Sequence, residues 1–220
     1  MSIEEYKIKV MEENEVEAVL DHLRKYFFID EPLNKSINLI DSEDSNCPGL
    51  ENYCKKCMVN GISYIAVTNA GEVVSVCLSN IENLEEEEET PCSSEYKFDK
   101  ITTFLTYSDN QATRVILKRY PHCKTMMDVK ILSTHSLWAG RGLAKKLVAL
   151  SSKTANEKGC DLIRMNCSSY FSAKVVEKLG FECVYELKYS DYKVNGEQVF
   201  KTEHPHTSKT TYIQLLNGSS

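Results

Sequence analysis

Hydrophobic positions recur along the chain with two periods, and the alternation between them predicts a mixed set of strands and helices. Residues 6–10 alternate like an edge strand, and Val16, Val19, Leu20, Leu23 and Phe27 then follow at helical spacing as far as Phe28. Pro32 disfavours helical geometry at Glu31, so this helix should stop there and a loop should carry Asp30, Glu31, Leu33 and Asn34. The pattern predicts a second helix over 50–60, closed by Gly61, and a strand over 62–67. Asn69-Ala-Gly-Glu72 reads as a turn into a strand over 73–78, which makes the two strands an antiparallel hairpin. Helical spacing returns over 96–107 and again over 110–120, before a strand over 126–134. Leu143, Leu147 and Leu150 mark one face of a helix reaching Lys158, capped by Gly159. A strand over 161–167, a helix over 170–179 ended by Gly180, a hairpin about Asn195-Gly196 and a strand over 210–216 complete the order. Neither an internal repeat nor a long linker divides the 220 residues, so one domain spanning 1–220 is expected.

Composition narrows the function classes. Hydrophobic residues make up 42% and charged residues 26%, which describes a folding, globular chain. With 26 Lys+Arg against 32 Asp+Glu, the net charge of -6 opposes the phosphate backbone, and no nucleic-acid partner is expected. The glutamate run over 85–89 repels itself and reads as a solvated loop. The start of the chain lacks the basic and apolar blocks of a secretory signal, and no stretch approaches the ~20 apolar residues of a membrane span. A cytoplasmic location without a membrane partner is therefore expected. The nine cysteines, odd in number and scattered, suit free thiols in a reducing compartment. Cys54-Lys-Lys-Cys57 has ligand spacing, but structural zinc takes four ligands and no second pair follows, so no metal is expected.

The candidate chemistry begins at Gly140-Arg-Gly142, between a predicted strand and a predicted helix. Backbone N–H groups there lie at the positive end of a helix dipole, an arrangement suited to a pyrophosphate, although such glycines equally permit a tight bend. A dinucleotide fingerprint needs a small residue where Lys145 stands, and a P-loop needs Gly-Lys-Ser/Thr where Leu143-Ala144 follow Gly142.

The stretch from Ile131 through Trp138-Ala-Gly-Arg-Gly-Leu-Ala144, followed by Lys174-Val-Val-Glu-Lys-Leu-Gly-Phe181, resembles the GCN5-related N-acetyltransferases. Asp30-Glu-Pro-Leu33, Ser172-Ala173 and Lys201-Thr-Glu-His-Pro-His206 resemble, within them, the insect arylalkylamine N-acetyltransferases. The resemblance implies an α/β acyl-CoA N-acyltransferase fold, with a mixed, mostly antiparallel central sheet flanked by helices and splayed at the cofactor site. It implies acetyl-CoA as co-substrate, with the pantetheine arm along Ile131, Leu132, Ser133 and Thr134 and the pyrophosphate at Ala139, Gly140, Arg141, Gly142, Leu143, Ala144 and Lys145. The family's cofactor loop reads Gln/Arg-x-x-Gly-x-Gly/Ala. Ala139 stands at its first position, leaving Arg141 and Lys145 as sources of side-chain charge.

For the reaction, the resemblance assigns Glu31 as general base, Ser172 as proton donor to the departing thiolate, and His206 as a residue lining the amine site. Each also has a plain alternative: a surface acid beside Pro32, a helix N-cap, and a histidine in an exposed turn beside Pro205. The implied acceptor is a small primary amine of the dopamine, tyramine or serotonin type, with polyamines or agmatine as the other acceptor class. A non-catalytic CoA-binding protein is the competing reading, favoured by Ala139 and opposed by Glu31. A monomer is expected.

Overall fold

In the computed structural model, residues 5–41, 47–86, 90 and 95–216 are described. Seven strands form one sheet: β1 (Tyr6–Val10), β2 (Tyr64–Thr68), β3 (Val73–Asn83), β4 (Thr125–Thr134), β5 (Leu162–Cys167), β6 (Glu182–Lys188) and β9 (Ser208–Leu215), while β7 (Lys193–Val194) and β8 (Glu197–Gln198) make a separate small hairpin. The helices are α1 (Val16–Tyr26), α2 (Pro32–Ser36), α3 (Pro48–Lys55), α4 (Tyr96–Arg119), α5 (Leu143–Glu157) and α6 (Tyr170–Glu177). The strand order is β1-β2-β3-β4-β5-β9-β6, antiparallel throughout except that β4 and β5 run parallel. The mixed, mostly antiparallel sheet flanked by helices is therefore present as the resemblance implied.

Helix spacing in the sequence becomes packing on the sheet. Val19, Leu20 and Leu23 of α1 and Leu50 and Cys54 of α3 meet Ile65, Val76, Leu78 and Ile131 on one face. Leu147, Val148 and Ala155 of α5 and Ala173 and Val176 of α6 meet Met127, Val129, Ile163 and Met165 on the other. Because both faces are covered, Met126, Met127, Asp128 and Val129 are all buried, so the centre of β4 shows no polar alternation. The buried charge is compensated there. Arg164 donates to Asp128 at 2.6 Å and to Thr113 at 3.0 Å, and Lys130 bridges Asp128 at 2.7 Å and Glu82 at 2.9 Å.

Several predicted boundaries move. Pro32 does not open a loop: it is the first residue of α2, where its missing N–H costs no hydrogen bond, and Glu31 caps that helix. The second helix is Pro48–Lys55, shorter than 50–60, although Cys57 and Met58 beyond it stay buried. The two helices over 96–107 and 110–120 are one, α4. Ser108 and Asp109, where the apolar pattern lapses, are buried inside α4 because Lys209 of β9 reaches both side chains. β6 had no counterpart in the pattern, for it is an edge strand whose residues are all exposed or half-buried. Glu85 and Glu86 are exposed after β3, and the rest of the acidic run lies outside the described residues. Both Cys54 and Cys57 are buried, and among the described residues no group of three or more His, Cys, Asp or Glu could hold a metal. Among the same residues no helix is long and apolar enough to cross a membrane.

Candidate active site

The site begins with one surplus residue in β4. Leu78 pairs with Ile131 and Ser79 with Val129, so Lys130 sits in a bulge with no register partner on β3. On the opposite side, pairing with β5 ends at Val129↔Met165, although β4 continues to Thr134 and β5 to Cys167. The two parallel strands separate from that point. A cleft of about 510 Å³ opens in the gap, lined among others by Ile131, Leu132, Ser133, Thr134, Glu31, Ser172 and His206. The structure thus brings the proposed pantetheine strand and all three candidate catalytic residues to one cavity.

At the outer end of β4, Ser136–Trp138 makes a single 3-10 turn and the chain enters α5 through Ala139, Gly140, Arg141 and Gly142. Gly140 (φ 76°) and Gly142 (φ 79°) adopt left-handed geometry, and a Cβ on either would meet no atom within 4 Å. Glycine is demanded here by backbone conformation, and the space beside it is open. No side chain caps the α5 N-terminus, so its first N–H groups remain available to an anion. The Arg141 guanidinium lies 4.4 Å over the Trp138 ring, Lys145 is exposed, and Lys146 donates to the Tyr6 hydroxyl at 2.5 Å. Leu143 is buried beneath the turn and Ala144 half-buried, so they anchor the helix rather than line the cleft. These residues suit a diphosphate held mainly by main chain, with Ala139 contributing no charge.

Glu31 stands at the inner end of the cleft. Its Oε2 accepts from the Asn34 N–H at 2.8 Å, whereas Oε1 is buried with no hydrogen-bond partner. Burial raises the carboxyl pKa, and the nearby Ser168 side chain and the Asn34 and Leu33 N–H groups offset that only in part. Ser168 does not close a hydrogen bond to Oε1, and the unpartnered oxygen is the atom able to accept a proton.

Ser172 is not the cap of α6. Ser169 holds that position and accepts from the Ser172 N–H at 3.1 Å, while the Ser172 hydroxyl donates to the Ser169 carbonyl at 2.9 Å. His206 accepts the Tyr170 N–H at Nδ1 (3.1 Å), and burial lowers its pKa. A neutral ring with Nδ1 accepting carries its proton on Nε2, so His206 is a donor toward the cleft. Lys35 and Glu203 pair at 2.8 Å beside it.

A smaller chamber of about 80 Å³ shares Phe27, Glu31, Val129, Lys130, Ile131, Asn166 and Ser168 with the cleft. Leu33, Leu50, Phe98, Ile101 and Leu105 form its apolar wall, and Tyr53, Asp109 and Lys209 add polar groups. None of these three was a sequence candidate, because they come from α3, α4 and β9, and nothing local to any of them signals a shared cavity. Behind β4, His22 is buried with Nδ1 on the Val73 carbonyl (2.9 Å) and Nε2 on the Ser133 hydroxyl (3.0 Å); burial lowers its pKa to about 4. Ser133 is thereby fixed from α1, a contact absent from the local motif.

The sequence matches no protein-family model. Among solved structures, arylalkylamine N-acetyltransferase 2 from Aedes aegypti superposes with a TM-score of 0.85 at 28% identity, covering 96% of this chain and 99% of that one. A mosquito arylalkylamine N-acetyltransferase like 5b gives 0.84 at 22% identity, covering 96% and 100%. A Drosophila melanogaster polyamine N-acetyltransferase, which catalyses formation of N-acetylagmatine, gives 0.82 at 20% identity, covering 96% and 100%. The splayed sheet, the glycine turn and these superpositions agree: the chain has the GCN5-related N-acetyltransferase fold and, within it, resembles the insect arylalkylamine N-acetyltransferases.

Proposed function

We propose that this chain transfers an acetyl group from acetyl-CoA to a small primary amine, an arylalkylamine in particular. The observation that carries the proposal is the buried, unpartnered Oε1 of Glu31, placed where the strand gap meets a smaller chamber with a largely apolar wall. A primary amine is mostly protonated near neutral pH, and it must lose a proton before its lone pair can attack. Glu31, its pKa raised by burial, accepts that proton directly or through a water that the Nε2–H of His206 helps to order.

The thioester supplies the activated acetyl group. Main-chain groups of Ile131, Leu132, Ser133 and Thr134 on the side vacated by β5 hold its amide-bearing arm, and donors of this kind contribute on the order of 3–4 kcal/mol each to oxyanion stabilisation. The α5 N-terminus and its two glycines hold the diphosphate. As the C–N bond forms and the C–S bond breaks, Ser172 turns its hydroxyl away from the Ser169 carbonyl and gives its proton to the departing thiolate, and the second proton shed by the amine nitrogen restores the hydroxyl. The apolar chamber wall favours an aromatic acceptor over a polyamine or agmatine, the other acceptor class represented among the superposed enzymes. A thiol-release assay with acetyl-CoA against aryl, imidazole and polyamine acceptors tests this reading: turnover of aryl amines supports it. CoA binding by calorimetry without turnover of any amine replaces it with a non-catalytic binder.

A further inference from the structure

The chamber beyond Glu31 ends in groups that the acetyl-transfer step does not use. The Tyr53 hydroxyl has no hydrogen-bond partner among the described residues, and the phenol stays neutral because burial raises its pKa. Tyr53 is half-buried and lines a cavity with room for water, so its hydroxyl is free to exchange a water for a polar atom of a ligand. On the wall of the same chamber, the Lys209 ammonium donates to Asp109 and, at 3.2 Å, to Ser108. The side-chain carbonyl oxygen of Asn166, another lining residue, accepts from the Thr211 hydroxyl at 2.7 Å.

Charge at this end is already balanced. Asp109 is paired with Lys209, Asp128 with Arg164 and Lys130, and Glu82 with Lys130. A second cation on the substrate would find no carboxylate awaiting neutralisation, so its desolvation would go uncompensated. An all-hydrocarbon tail would leave the Tyr53 hydroxyl unsatisfied. The volume of about 80 Å³ lies below the ~150 Å³ of a dry cavity that holds benzene, so the tail is one ring at most, partly in the cleft.

We infer that Tyr53, on a chamber wall it shares with the Asp109–Lys209 pair, is a specificity-determining residue that selects amines whose apolar body ends in an uncharged hydrogen-bonding group such as a hydroxyl. The inference rests on the acetyltransferase reading above. The test measures kcat/KM for tyramine, phenethylamine and agmatine with the full chain, its Tyr53→Phe variant and an Asp109→Asn/Lys209→Met double variant that keeps the charge balanced. The wild-type chain should prefer tyramine to phenethylamine by about tenfold or more, because a site built to bond a hydroxyl rejects the analogue lacking it. Agmatine should be the poorest of the three. In Tyr53→Phe the tyramine-to-phenethylamine ratio should collapse toward one, with the thermal midpoint showing that the variant is folded. Equal wild-type turnover of the two aryl amines, a ratio unmoved in a folded Tyr53→Phe protein, or agmatine as the best acceptor would each overturn the inference while leaving acetyl transfer intact. Failure of every amine would instead remove the acetyltransferase reading and this inference with it. Should Tyr53→Phe not fold, the double variant decides by the same ratio.

Discussion

Replacing Glu31 by Gln separates the two jobs of this side chain. The carboxylate caps α2 through Oε2 and, in the proposed mechanism, takes the amine proton at Oε1. Glutamine keeps an acceptor for the Asn34 N–H, so most of the ~1 kcal/mol that a cap contributes is retained, and the neutral amide avoids burying a charge. Catalysis should suffer much more. A positioned general base contributes about 10²–10⁴-fold, or roughly 3–5 kcal/mol of barrier at about 1.4 kcal/mol per tenfold. The pH dependence gives an independent reading of the same group. Because the folded pKa of Glu31 is raised, the folded state holds more protons than the unfolded chain between the ordinary carboxyl value of 4.5 and the folded one. The contribution of Glu31 to stability therefore falls as pH rises through that window, and in Glu31→Gln this slope should vanish. The acid limb of the kcat/KM profile should disappear with it. The measurements are thiol release at saturating acetyl-CoA and urea denaturation, each against pH. A folded Glu31→Gln protein with near wild-type kcat/KM and an unchanged acid limb would refute the assignment of the base.

Three other perturbations probe the frame of the site. Gly142→Ala forces a side chain into left-handed geometry at a cost of about 1–2 kcal/mol and places a methyl in the proposed diphosphate space, so CoA affinity by calorimetry should fall together with the thermal midpoint. His22, with its pKa lowered from 6.5 to about 4, is protonated more readily when unfolded; its share of stability is full above 6.5 and drains away on acidification, by about 3 kcal/mol at pH 4. Urea midpoints of His22→Gln should follow a flatter pH course than wild type over that range. Asp128→Asn leaves Arg164 and Lys130 without their shared carboxylate and should cost about 3–5 kcal/mol, measured by urea denaturation at neutral pH.

How far the sequence reveals this molecule depends on how local each signal is. The period in α1, the Asn69 to Glu72 turn of the β2–β3 hairpin and the glycines at the start of α5 are contained within a few residues, and each is recognisable before any contact is known. Ser108 and Asp109 mislead for the opposite reason: they look like a surface break in α4 until Lys209, a hundred residues away, is seen to bury them. β6 is obscured by lying at a sheet edge, where neither face is fully covered. Glu31, Ser172 and His206 stand out only through family likeness, since residue type alone equally describes a surface acid, a serine in a first helical turn and a loop histidine. The bulge at Lys130 and the polar end of the chamber leave no mark in the sequence, because register and cavity arise only when distant strands assemble.

A complete sheet would have zipped β4 onto β5 to their ends. The single additional residue at Lys130 coincides with the point where that closure stops, and beyond it the main chain of β4 has no β5 partner to bond. Peptide groups are common to every amino acid. A ligand held by main chain along such a gap asks for its shape and places little demand on which side chains flank it.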